Sequence, residues 1–165
     1  MPASSIRNFM RQQGFADDAS EAATLRFRGL QFQPTIVGTT LLVAIVLQSA
    51  PIFLAVSAVL WWNALVPSAN PFERAYDRWI ARPRGRPPLQ PAPGPRRFAQ
   101  GMAAALTLAA GSSLLLGWTA ASYVFQALLA VAFVALLFGK FCLGAYVYHL
   151  LKGNASFANA TCPWS

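Results

Sequence analysis

The sequence predicts an all-α polytopic membrane protein, with four transmembrane helices arranged as two hairpins. Three observations carry this. Only 11% of the 165 residues are charged, against 56% apolar, where a soluble domain carries about 25% charged residues. The charges are also segregated. Residues 29–72 hold none, and neither do residues 98–139; uncharged apolar blocks of this length read as membrane spans. Finally, each block is too long for one span and is interrupted once, at "QSAP" in the first and near Gly117 in the second. The chain length fits one small bundle rather than two domains.

Residues 1–31 form a polar N-terminal segment without the early apolar core of a signal peptide, so it is expected to stay on the mature protein. In "SSIRNFMRQQGF", Ile6, Phe9 and Met10 fall on one helical face and Arg7 and Arg11 on the other. That is the pattern of a short helix lying in the membrane interface; a partly ordered tail is the other reading. Residues 32–66 form the first hairpin, with helices over 34–48 and 51–65. Both are short for a span of about 20 residues, and a re-entrant pair is the alternative. Residues 67–97 form a basic, Pro-rich connector. Within it "NPFERAYDRWI" reads as a short amphipathic helix on the membrane surface, capped by Asn70 with Pro71 at its first position. Its apolar face holds Phe72, Ala75, Tyr76, Trp79 and Ile80, opposite Arg74, Asp77 and Arg78. From Pro83 onward the prolines predict an extended link. Residues 98–153 form the second hairpin, with helices over 98–116 and 121–139, the latter continuing through "KFCLGAYVYHLLK". Gly101, Ala105, Thr107, Ala110 and Gly111 suit the third helix to close contact. The fourth helix is bulkier and suits lipid or a partner. Residues 154–165 form a C-terminal tail.

All thirteen Lys and Arg residues fall in the N-terminal segment, the connector and the region after the last span. Four spans put them all on one side. The positive-inside rule then places both termini and the connector in the cytoplasm, across a bacterial inner membrane. Arg74, Arg78, Arg82, Arg84, Arg86, Arg96 and Arg97 are expected to meet anionic phospholipid headgroups or an acidic partner surface. Trp61, Trp62, Trp79, Tyr146 and Tyr148 are expected as interface anchors. The formal charge of +8 comes with no nucleic-acid motif, so nucleic acid is not expected as a partner.

"NPFERAYDRWIARP", then a Pro-rich link, "PRRFAQ", a hairpin of spans and "FCLGAYVY" together resemble the bacterial membrane family DUF4395. The resemblance runs from about residue 32 to 153. It implies a small integral membrane protein of this layout and names no reaction. Members of that family often carry a second cysteine in "FCLGC". Here Ala145 stands at that position, so the local cysteine pair is absent, and Cys162 is the remaining thiol.

Cys142, Tyr146 and His149 lie at i, i+4 and i+7, on one face of a continuous helix. With Cys162 they make the candidate thiol, metal or cofactor group, Cys142 as the reactive thiol and His149 as a haem or pigment ligand. The spacing matches no standard zinc signature. The competing reading is a cysteine packed at a helix end, with tyrosine and histidine at headgroup level. No ionisable residue falls within the predicted hydrocarbon depth, which argues against coupled transport. Thr39, Thr40, Gln48, Thr107 and Gln126 are expected to bond across helices or to backbone. Phosphate-loop, dinucleotide, zinc-protease and serine-nucleophile motifs are absent from the sequence. The inventory points to a non-enzymatic accessory or structural subunit of a larger membrane complex. The alternatives are a membrane thiol-redox protein acting through Cys142, or a passive carrier of a small solute. The residues leave the cofactor undetermined.

Overall fold

The computed structural model describes residues 3–15, 21–86 and 88–162. These residues hold eight α-helices and no strand: α1 (Ala3–Gln12), α2 (Glu21–Leu47), α3 (Ala50–Leu65), α4 (Pro71–Tyr76), α5 (Gly94–Leu115), α6 (Thr119–Leu137), α7 (Leu143–Leu151) and α8 (Ala155–Ala160). Three helical segments are long and apolar enough to cross a membrane: Phe27–Leu47 of α2, α5 and α6. Helix α3 matches the short second helix expected over 51–65 and falls below that length, so three of the four expected spans are long enough by themselves. Helix α3 has 16 residues, about 24 Å at the α-helical rise.

Helix α2 begins well before the expected start at residue 34 and carries Pro34 in its interior. A proline there has no N–H to give to the carbonyl four residues back, which is Leu30 O. Arg96 Nη2 donates to that carbonyl instead, at 3.4 Å. Past the proline, Thr35, Thr39 and Thr40 bond back to the carbonyls one turn earlier. Helix α3 opens at Ser49, with Pro51 in its first turn, where the missing N–H is harmless.

Helix α5 begins at Gly94 rather than at residue 98. That start fixes its phase. Arg96, Gln100, Ala104, Thr107 and Gly111, spaced by three or four residues, form its buried face. Of the small residues expected at close contact, Thr107, Ala110 and Gly111 are buried while Ala105 is exposed, and α5 packs most extensively on α3. At Gly111 a Cβ would come within 2.9 Å of Phe53, and Ser57 Oγ donates to Ala104 O at 2.9 Å. Val37, Leu41, Phe53, Leu60, Ala104 and Leu129 lie in the main core. Gln48 and Gln126 exchange amide hydrogen bonds between α2 and α6 at 3.0 and 3.1 Å, as their placement in apolar helices suggests. The α5–α6 turn falls at Gly117, with φ of 73°.

Helix α6 stops at Leu137 and does not run on through Cys142. Lys140 takes a positive φ of 50°, which no α-helix accommodates. Cys142 becomes the N-cap of α7. Helix α7 then packs tightly on α5: a Cβ on Gly144 would lie 2.6 Å from Ala99. Helix α4 is capped as expected, Asn70 Oδ1 accepting from the Phe72 and Glu73 amides at 3.0 and 3.4 Å. It continues as a π-helical turn, Asp77–Ala81, and a 3-10 turn, Arg82–Arg84. One side of this segment enters the protein, where Tyr76 is buried and its ring meets Phe32 at 5.7 Å. The other side leaves Trp79 71% exposed.

A second core joins α1, the start of α2 and the start of α7. It contains Phe9, Met10, Phe27, Leu30, Cys142 and Ala145. The apolar face of α1 foreseen from its spacing therefore exists, and it is packed inside the protein.

Candidate functional site

At the end of the bundle where α1, α2, α4, α5 and α7 converge, polar side chains are buried together. Helix α1 and the turn after it bring Gln12 and Gln13, α2 brings Gln33, α4 brings Glu73 behind its Asn70 cap, and α5 brings Arg96 and Gln100. All six and Asn70 are buried. Buried polar groups are expensive unless hydrogen-bonded, and most of these are. Arg96 Nη1 donates to Gln13 Oε1 at 3.0 Å. Gln33 Oε1 accepts from Asn70 Nδ2 and from Gln100 Nε2, both at 3.1 Å. Gln12 Oε1 accepts from the Cys142 amide at 2.9 Å.

The electrostatics centre on one ion pair. Arg96 Nη2 lies 3.8 Å from Glu73 Oε1, near enough for attraction and too far for a good hydrogen bond. Burial pushes the Glu73 carboxyl above the usual carboxylate range. Arg96 opposes that shift and Asp77 adds to it. Several atoms have no hydrogen-bond partner among the described residues: Arg96 Nε, Gln100 Oε1, Gln12 Nε2 and Glu73 Oε1. A largely apolar cavity of about 70 Å³ counts Gln13, Gln33, Arg96, Gln100 and Cys142 among its lining residues.

The candidate residues divide around this cluster. Cys142 lines the cavity and is buried. Burial pushes its thiol up, against smaller opposing effects from backbone hydrogen bonds and Arg96. His149 was placed at headgroup level, but it is buried. Its Nε2 is 3.0 Å from Gln12 O, and since a carbonyl only accepts, that nitrogen is the donor. Cys142 and His149 thus both meet Gln12. Tyr146 turns instead to α8, donating to Asn159 Oδ1 at 3.0 Å. The shared face fails because Cys142 precedes the helix. Cys162 Sγ contacts Ala158 O at 3.6 Å, and neither cysteine is in a disulfide. Among the described residues no three His, Cys, Asp or Glu side chains form a metal-binding group.

The basic connector also divides. Arg74, Arg78, Arg82, Arg84 and Arg97 are exposed and Arg86 half-buried. Arg97 also donates from Nε to Ala64 O at 2.8 Å. Arg96 is the exception: it is 5% exposed and not available to headgroups, because the early start of α5 turns it inward. Trp61 and Trp62 are exposed at the end of α3, and Tyr148 stacks at a tilt on Phe98 at 5.7 Å.

Sequence reasoning missed Gln12, Gln13, Gln33, Glu73 and Gln100. One signal was available: Arg96 and Gln100 stand four apart at the head of an otherwise apolar helix, with Thr107 on the same stripe.

The comparisons with known proteins bear on the whole chain. No curated protein and no solved structure matches it. The profile of one family, described as a domain of unknown function, matches residues 27–152. That span begins in α2 and ends just past α7, so it takes in both hairpins, the connector and most of the polar cluster. The chain belongs to the DUF4395 family.

Proposed function

We propose that this protein is a non-enzymatic accessory or structural subunit of a larger membrane complex. In this reading it crosses the bacterial cytoplasmic membrane four times, as two hairpins, with both termini and the connector on the cytoplasmic side. The grouping of all thirteen basic residues away from the two short hairpin turns supports that topology. Helix α3 then spans by local thinning of the bilayer or by packing on its neighbours.

The observation that carries the subunit reading is a groove between α2 and α6. These helices meet over far less of their length than α3 and α5 do. They leave an apolar groove of about 280 Å³, lined by Gly38, Leu41, Leu42, Ile45, Val134 and Leu137 among others. In lipid, helices associate through shape and small residues rather than hydrophobicity. An apolar groove of this shape accepts the ridge of another helix, although Gly38 itself is covered by Phe133 and Leu137 of α6. The test places a photo-crosslinking amino acid at Leu42 or Val134, and at Leu128 on a different face of α6, in native membranes. A discrete protein adduct at the first two positions and not at Leu128 is expected. Lipid adducts alone at all three would sink the subunit reading.

The thiol reading has one observation in its favour, the position of Cys142 on the cavity. Against it, the sulfur is buried and its thiol form favoured, whereas nucleophilic cysteines are exposed with a lowered pKa. Cys142→Ser is therefore expected to leave folding and function near wild type.

A further inference from the structure

Helices α3 and α5 run antiparallel, pairing Ala64 with Arg97, Ser57 with Ala104 and Phe53 with Gly111. The last turn of α3 and the first turns of α5 therefore meet at one end of the bundle. An open groove of about 470 Å³ lies over this junction, between Trp61 and Ala64 of α3 and Arg97, Phe98, Gly101 and Met102 of α5. Small-molecule sites have volumes of about 300–1,000 Å³. The groove is recessed at Gly101. A Cβ there would meet only Trp61 and Ala64, at 3.8 and 3.9 Å, which is ordinary van der Waals contact.

The surroundings change from charged to apolar along α5. Arg97 is exposed. Its Nε–H serves Ala64 O, and its two Nη groups have no hydrogen-bond or carboxylate partner among the described residues. Nor does the described lining contain Asp or Glu. A second cation stands close by: Lys152 Nζ lies 6.0 Å from the Tyr148 ring, which meets Phe98 at 5.7 Å. Beyond Gly101 the same stripe of α5 continues with Ala105 and, at seven-residue spacing, with Leu108 and Leu115. All three are exposed. Helix α5 is long and apolar enough to cross a membrane, so Arg97 stands in the first turn of a span. The exposed indole of Trp61 shares its groove, as suits the level where headgroups meet hydrocarbon.

We propose that this groove seats one anionic phospholipid, its phosphate on the Arg97 guanidinium and an acyl chain along Gly101, Ala105 and Leu108. A guanidinium with open Nη groups matches phosphate oxygens in a paired, charge-assisted fashion. Arg97 and Lys152 are both positive, which favours an anionic headgroup over a zwitterionic one. Such a seat differs from diffuse attraction to the connector arginines, because it has a stoichiometry and an apolar half. It requires α5 to cross the bilayer and is independent of the subunit reading, whose groove lies between α2 and α6.

The test uses the full chain, delipidated in detergent, and native mass spectrometry with dioleoyl phosphatidylglycerol or phosphatidylcholine added at equal concentration. One phosphatidylglycerol per chain is expected, about fivefold more abundant than the phosphatidylcholine adduct. Arg97→Gln should lower it about fivefold. That variant also loses the bond to Ala64 O, so Gly101→Leu serves as the second. Its Cβ has room, its side chain fills the recess, Arg97 stays in place, and the adduct should fall as far. Arg84→Gln, on the exposed connector, should leave the adduct unchanged. Equal adducts with both lipids would overturn the anionic assignment. As large a loss in Arg84→Gln as in Arg97→Gln would show diffuse attraction and overturn the seat. An unchanged adduct in folded Gly101→Leu, or none with folded wild-type protein, would overturn the groove as its place. A photo-crosslinking amino acid at Met102 should capture lipid in native membranes; capture of a protein there would overturn the lipid assignment.

Discussion

Arg96 links four segments through one side chain: Gln13 in the turn after α1, Leu30 O of α2, Glu73 of α4 and its own helix α5. Arg96→Leu would leave the Gln13 amide oxygen and the Leu30 carbonyl buried without donors, at about 1–3 kcal/mol each. We expect the variant to lose several degrees of thermal stability in detergent, and α1 to become sensitive to added protease. Glu73 behaves differently. Its folded pKa is raised above the unfolded value of 4.5, so the unfolded state releases this proton first as pH rises. Stability is thus fullest below about pH 4.5 and declines as pH climbs through the folded pKa. Glu73→Gln should flatten that decline in a melting-temperature series against pH, while a wild-type-like slope in the variant would refute the assignment. At this scale the sequence was only partly legible. "PRRF" presents two adjacent arginines with nothing local to separate them, and Arg97 is exposed where Arg96 is buried. The difference lies in the phase of a helix whose first residue is a glycine before a proline.

Pro34 shows how an element can depend on its neighbour. A proline inside a helix costs about 3 kcal/mol, and part of that cost is the undonated Leu30 carbonyl, which Arg96 serves. Pro34→Ala restores an N–H to the same carbonyl, so Arg96→Leu should do less damage in that background. A double-mutant cycle on melting free energies should give a coupling of about 1 kcal/mol; strict additivity would show that the Leu30 contact is idle. Gly144 is the counterpart on α7. With Ala99 only 2.6 Å from where a Cβ would stand, Gly144→Val should force α7 away from α5 and destabilise by about 1–3 kcal/mol. Helix existence was well marked in the sequence, because apolar runs, Asn70 and the hairpin glycine are local signals. The short α8 was not marked, and neither were three boundaries, the early start of α5 at Gly94 among them. Helix α2 passes through a proline whose lost hydrogen bond is replaced from 66 residues away. Helix α6 ends where Lys140 adopts a positive φ, a residue with no intrinsic preference for it.

Across the whole molecule, the number of membrane crossings decides the side of everything else. If α3 crosses, Gly85 in the connector and the N-terminus share a side, and Gly117 faces the opposite one. If α3 turns back, the connector changes sides. Single cysteines at Gly85 and Gly117, in a background without Cys142 and Cys162, would be labelled by an impermeant maleimide in right-side-out vesicles. We expect Gly117→Cys to react and Gly85→Cys to stay protected; the reverse pattern would reject the proposed topology. The all-helical class with long apolar helices was readable at this scale because charge segregation is a bulk property of the chain. The polar cluster was not, since its parts come from elements spread over residues 12–142 and meet only in the folded bundle.

The partners of Arg96 all precede it in the chain. During synthesis, α1, α2 and α4 have left the ribosome before α5 does, so a prepared socket can receive the guanidinium as it arrives. The second hairpin has no such socket of its own. Expressed as separate halves, the segment from residue 94 onward would carry an unmatched cation at the head of its first helix. It should be cleared by quality-control proteolysis unless the N-terminal half is made in the same cell.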